Sequence, residues 1–89
     1  MEKIILPLNE LHSPAELQAY LKEVLELPDY YGENLDALYD VLTERSEPLE
    51  FMVSEDIQEE EYLGDYGTRL LCLLQDVAAV NTAFQLTIE

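Results

Sequence analysis

The chain has 89 residues, 48% of them apolar, and sets 20 acids against four bases for a net charge of −16 at pH 7. That length suits one domain, residues 1–89, with enough apolar mass for a core that needs neither metal nor disulfide. The charge opposes direct binding to nucleic acid or to an anionic membrane and calls for a cationic partner.

In chain order, Lys3 to Leu6 is a short apolar run expected as the first strand. Ser13-Pro14-Ala15-Glu16 has the capping-box pattern with proline at the first helical position, and Leu17, Tyr20, Leu21 and Val24 supply an apolar stripe. This first helix should end before Pro28, whose ring disfavours helical geometry at Leu27. A second helix starts at Asn34, a good N-cap, with Leu35, Leu38, Tyr39 and Leu42 at core-facing spacing. Leu49 to Val53 reads as the second strand. Asp56-Ile57-Gln58-Glu59 then repeats the capping-box logic and opens a short acidic helix, which Gly64-Asp65-Tyr66-Gly67 breaks. Thr68 is expected to cap a fourth helix, where Leu70, Leu71, Leu73, Leu74, Val77, Ala78 and Val80 cover more than one stripe and Asn81 ends the element. Within it, Cys72, the single cysteine, reads as a small buried hydrophobe. Phe84, Leu86 and Ile88 alternate with Gln85, Thr87 and Glu89 as the third strand.

Strands separated by helices pair in parallel through right-handed crossovers, so the pattern predicts an α/β fold with a small three-stranded parallel sheet and four helices. No apolar run approaches the roughly 20 residues that span a bilayer, and Met1-Glu2-Lys3-Ile4-Ile5-Leu6-Pro7 lacks the regions of a secretory signal, which points to the cytoplasm.

The residues that stand out lie between Leu27 and Thr43. Asp36 and Asp40, four apart, share a helical face turned away from the core stripe, with Glu33 just upstream of the cap. Asp36 suits the positive end of the helix dipole. Asp40 does not, because aspartate is a poor mid-helix residue and a like-charge pair at this spacing costs about 0.2–0.5 kcal/mol. Tyr30 and Tyr31 lie in the adjoining loop; one suits the core and the other offers the semi-rigid, polar-tipped surface that interfaces favour. Gly32 permits a positive φ before the helix, or a plain turn into it.

Enzyme chemistry finds little to use. His12 is the only histidine, sits on the flank of a helix cap and lies far in sequence from the paired acids. A calcium-loop reading from Asp29 puts Tyr31 at a ligand position and Asn34 where glycine is needed. No phosphate-binding loop, nucleophile elbow or Cys/His cluster is present. The expectation is no catalytic, cofactor or metal site.

The run Leu27-Pro28-Asp29-Tyr30-Tyr31-Gly32-Glu33-Asn34-Leu35-Asp36-Ala37-Leu38-Tyr39-Asp40 closely resembles the central segment of the barstar family, intracellular inhibitors of secreted barnase-type ribonucleases. Weaker likeness extends over Ser13 to Val24 and Leu70 to Ala79, and length and element order agree throughout. The resemblance implies a three-layer barstar-like fold and a 1:1 complex with a basic ribonuclease, the inhibitor itself being monomeric when free. In that complex the second helix and its preceding loop plug the active site, and carboxylates mimic RNA phosphates. It implies that Asp40 fills the phosphate pocket, Asp36 pairs with a guanidinium at the rim, and Tyr30 packs on the catalytic histidine. Gly32, Asn34, Tyr39, Thr43 and Glu44 fall within or beside the same interface, and Asp76 adds charge from the last helix.

The chain departs from the family pattern at Tyr39 and Arg45, where barstar has tryptophan, at Glu44, where it has glycine, and at Val80, where it has an acid. Bulk and a cation beside the pocket bear on which ribonuclease is accepted. Protection from the producer's own enzyme and immunity against a ribonuclease toxin fit equally well. The alternative from another class is an acidic nucleic-acid mimic or adaptor that sequesters a different basic protein.

Overall fold

Residues 2–89 are described by a computed structural model. The strands Glu2–Ile5 (β1), Leu49–Val53 (β2) and Phe84–Ile88 (β3) form one parallel sheet in the order β1-β2-β3. The register sets Ile4 beside Phe51 and Phe51 beside Leu86, with Leu49 beside Phe84. Successive side chains alternate between faces. Ile4, Leu49, Phe51, Val53 and Phe84 are therefore buried together, while Lys3, Ile5, Gln85 and Thr87 on the opposite face are exposed.

That alternation corrects the three-layer expectation. A sheet covered on both sides would bury both sets of side chains, as parallel sheets commonly do. Here both crossovers step to the adjacent strand in the same direction, and right-handed connections of that kind deliver their helices to one face. The result is a two-layer α/β fold.

The helix count is also corrected, from four to three α-helices among the described residues, joined by 3-10 turns at Leu8–Glu10 and Glu55–Gln58. The first helix, α1 (Pro14–Val24), begins as its sequence predicts: the Ser13 hydroxyl oxygen accepts the Glu16 amide at 3.2 Å. In α2 (Leu35–Glu44) the Asn34 carboxamide oxygen accepts the Ala37 amide at 2.7 Å, and Leu38 and Leu42 are buried. The acidic segment after β2 is a single 3-10 turn, in which the Ser54 hydroxyl caps the Asp56 amide and Ile57 alone is buried. One apolar side chain followed by Glu59, Glu60 and Glu61 leaves no stripe for an α-helix to bury.

The last helix, α3 (Asp65–Val80), starts three residues before the expected Thr68 cap, with Gly64 at φ 54° just ahead of it. Gly67 does not break it. A Cβ there would lie 2.0 Å from the Ile57 carbonyl oxygen, so the glycine serves the close approach of the 3-10 turn to the helix. Gly67, Leu70, Leu71, Leu74 and Val77 are buried as one stripe, narrower than the sequence suggests. At about 100° per residue Cys72 falls opposite that stripe, beside Arg69 and Asp76, and is exposed where burial was expected. Asn81 ends the helix, and its amide nitrogen donates to the carbonyls of Leu42 at 2.8 Å and Arg45 at 2.9 Å. Those two bonds pin the end of α3 to the end of α2.

Candidate functional site

Seated on Leu38 and Leu42, α2 turns its other side to water, and Asp36 and Asp40 are both exposed one turn apart. Asp36 enjoys the helix dipole; Asp40 and Glu44 lie progressively nearer its negative end, in a last turn that carries no basic residue of its own before the Arg45 C-cap. Thr43 does not present its hydroxyl proton outward, because Oγ1 donates back to the Tyr39 carbonyl at 2.8 Å, with the Asp40 carbonyl at 3.2 Å. Tyr39 is half-buried and packs against the core.

The loop before α2 resolves the tyrosine pair that the sequence leaves open. Tyr31 is the core residue at 6% exposure, and Tyr30 is 89% exposed. The Tyr31 amide donates to the Pro28 carbonyl at 2.9 Å, closing a turn that leaves the neighbouring ring outside. Burial first, then the electrostatic influence of Tyr66 and Glu33, pushes the Tyr31 phenol up to about 12. Gly32 is not the residue with positive φ; Glu33 is, at 54°. Gly32 serves space instead, since a Cβ there would lie 3.0 Å from the Asn34 amide nitrogen, which itself donates to the Gly32 carbonyl at 3.2 Å.

Concavities flank α2 on both sides. Between α2 and α3 a groove is lined by Leu35, Asp36, Tyr39 and Asp40 from one helix and by Arg69, Cys72, Leu73 and Asp76 from the other. On the opposite flank, Tyr30, Glu44 and Arg45 line a depression with Leu27, Pro28 and Val41. A cleft at the start of α2 holds Glu33, Asn34 and Asp36 with Gln18, Tyr66 and Arg69. The groove thus gathers Asp36, Tyr39, Asp40 and Asp76, and the depression pairs Tyr30 with Glu44. Gly32, Asn34 and Thr43 serve the internal geometry of the ridge.

Sequence reasoning missed Arg69 and Cys72 in this groove. The signal was there: positions 69, 72, 73 and 76 recur at helical spacing, so the named Asp76 carries Arg69 and Cys72 with it. Arg45, suspect as a cation near the acids, lies with Tyr30 instead, its Nη2 4.0 Å from the Glu47 carboxylate. Val80 is exposed at the far end of α3. Among the described residues no three His, Cys, Asp or Glu side chains converge as a metal site, and no helix is long and apolar enough to cross a membrane. His12 is exposed, its Nε2 2.7 Å from the Asn9 carbonyl oxygen and its ring stacked on Tyr62.

Two comparisons bear on this surface. The family model described as Barstar (barnase inhibitor) matches residues 1–89. A relative from Bacillus subtilis (strain 168), named "Putative ribonuclease inhibitor YrdF", is 34% identical over 91 residues, an alignment that spans the whole of both chains.

Proposed function

The chain belongs to the barstar family, and on that premise we propose that it is a protein inhibitor that blocks the active site of a cognate barnase-type ribonuclease in a 1:1 complex. The observation that carries this reading is the exposed Asp36–Asp40 face of α2 together with the exposed Tyr30 ring on the helix's other flank, in a chain of net charge −16. A ribonuclease must hold RNA phosphates with cations, and two carboxylates one helical turn apart offer those cations an alternative set of acceptors. Asp40 would fill the phosphate pocket and Asp36 would meet a guanidinium at its rim. Tyr30 would stack on the enzyme's catalytic histidine, and Asp76 would add charge from across the groove.

The inhibitor performs no chemistry in this scheme. Its acidic surface attracts the basic enzyme at long range, and the ridge then docks where the substrate backbone would lie. One domain suffices, acting in the cytoplasm as a monomer until it meets the enzyme. Glu44 and Arg45, beside Tyr30, would tune which ribonuclease is accepted.

The test is titration of RNA cleavage by barnase and a panel of barnase-type enzymes. Complete inhibition at a 1:1 ratio, lost in Asp40→Ala while the variant stays folded, is expected. If no ribonuclease of the panel is inhibited and the protein instead binds another basic protein through the same face, it is a nucleic-acid mimic of a different kind.

A further inference from the structure

Gln18, on the inner side of α1, is the one buried side chain outside the apolar and aromatic set among the described residues, at 2% exposure. Both ends of its amide are engaged: Oε1 accepts a 2.6 Å hydrogen bond from the Tyr31 hydroxyl, and Nε2 donates to the Tyr66 hydroxyl at 2.8 Å. Tyr31 belongs to the loop before α2, and Tyr66 lies in the first turn of α3. Three side chains therefore tie α1, that loop and α3 together.

As a source of stability the arrangement is a weak choice. A buried glutamine surrenders water and rotamer freedom, and an apolar pair of the same shape fills such a site at nearly equal free energy. What apolar packing does not supply is direction, which a short O–H···O bond does.

Direction matters at the next residue. Tyr30 is 89% exposed and its hydroxyl has no hydrogen bond among the described residues, so its ring is aimed chiefly by the backbone that carries it. The backbone that follows Tyr30 is held first by Tyr31, through its bond to Gln18, and then by Asn34, through its bond to the Gly32 carbonyl. Between them Glu33 sits at φ 54°, a conformation that costs a non-glycine residue on the order of 1 kcal/mol and persists where neighbours over-determine it.

We infer that Gln18 is a positioning residue for this loop: acting through the Tyr31 hydroxyl, it holds Tyr30 and Glu33 in the geometry a partner meets, and so governs how long the complex lasts. Only the second arm of its test rests on the ribonuclease reading. The variant is Gln18→Leu combined with Tyr31→Phe, which removes both ends of the short bond while keeping shape, so that no fully buried donor is orphaned. The half-buried Tyr66 hydroxyl can turn to water.

In the first arm, 15N relaxation of the free protein should show order parameters of residues 30–33 falling from about 0.85 to below about 0.6, with α1 and α3 unchanged. A loop that stays rigid overturns the inference whatever any ribonuclease does. In the second arm, with barnase as the probe, the paired change should speed dissociation at least about fivefold and alter association less than about twofold. In a Tyr30→Ala background the same change should alter dissociation less than about twofold, because its effect runs through Tyr30. Equal acceleration in both backgrounds, tracking a lowered thermal midpoint, would mean a merely structural role and overturns the inference. Wild-type protein that ignores barnase while the variant's loop loosens upholds the positioning role and counts against the ribonuclease reading alone.

Discussion

Gly67→Ala should destabilise this protein, although glycine to alanine inside a helix ordinarily gains about 0.8–1.0 kcal/mol. The added Cβ would lie 2.0 Å from the Ile57 carbonyl oxygen, 2.7 Å from its carbon and 3.2 Å from the Gln58 nitrogen. Carbon–oxygen contacts settle near 3.3 Å or beyond, so α3 and the 3-10 turn must part by roughly 1 Å. All three obstacles are backbone atoms, which cannot rotate away. The same Ile57 carbonyl accepts the Leu63 amide at 3.2 Å, and the Ile57 side chain is fully buried. Overpacking of this kind costs about 1–3 kcal/mol and a weakened hydrogen bond about 0.5–1.5 kcal/mol more. Less the helical gain, the net loss is about 0.5–3.7 kcal/mol, or roughly 2–30 °C in thermal midpoint for a chain of this size. Urea unfolding followed by far-UV circular dichroism measures it, with an unchanged m-value showing that stability alone has moved. Gly67 faces Ile57 and lines none of the concavities beside α2, so inhibition below the transition should remain stoichiometric. A variant as stable as wild type would refute the close approach, and with it the account of why α3 tolerates a glycine in its first turn.

Asp40→Ala should lose more ribonuclease affinity than any other single alanine substitution, by more than about 2 kcal/mol, while circular dichroism shows the helix intact. Loss at an aspartate of barstar itself is already a standard example of such a hot spot, so the expectation for this chain is the rank, read by isothermal or kinetic titration. Arg69→Ala removes a cation from the acidic groove and should quicken association with a basic ribonuclease at about 0.01 M salt, an effect that vanishes near 1 M, where the Debye length is about 3 Å. Stopped-flow rates that do not respond to the change would separate the groove from the approach path. The Tyr31 phenol, raised to about 12 by burial, keeps its proton when folded after the unfolded chain has begun to lose it near pH 10. Its contribution to stability is present below pH 10 and is lost as pH rises toward 12; Tyr31→Phe should flatten that decline in urea unfolding, leaving the smaller part due to Tyr20, which burial and then Glu10 also raise.

What the sequence made legible was local. Ser13 and Asn34 cap helices through side-chain bonds to backbone three residues on, so a few residues of context suffice to read each one. What it obscured was set at a distance. Gly67 reads as a breaker until Ile57 is seen against it, and Cys72 reads as core because five consecutive apolar residues exceed what one helical stripe can bury. Composition could not choose between Tyr30 and Tyr31, since a loop has no period; the choice was made by Gln18, thirteen residues earlier, and by Tyr66 beyond it. The sheet's uncovered face followed from strand order, which no run of residues states.

The candidate residues divide by whether the free protein has already used them. Asn34 and Thr43 have internal partners, so a complex that engaged them would trade one hydrogen bond for another and gain little. Asp36, Asp40, Glu44 and Asp76 have no side-chain hydrogen bond or ion pair among the described residues, and the first three stand one turn apart on a single helix, where like charges repel. Arrival of a cation relieves that repulsion and satisfies the carboxylates in one step, whereas a neutral or acidic surface does neither. The free ridge is thus electrostatically incomplete in a way that a cationic active site completes, and its shape is fixed beforehand by Leu38, Leu42 and the Asn81 bonds to Leu42 and Arg45. A cationic partner bound there would spend little on ordering the helix, and the attraction between opposite charges would go into holding it.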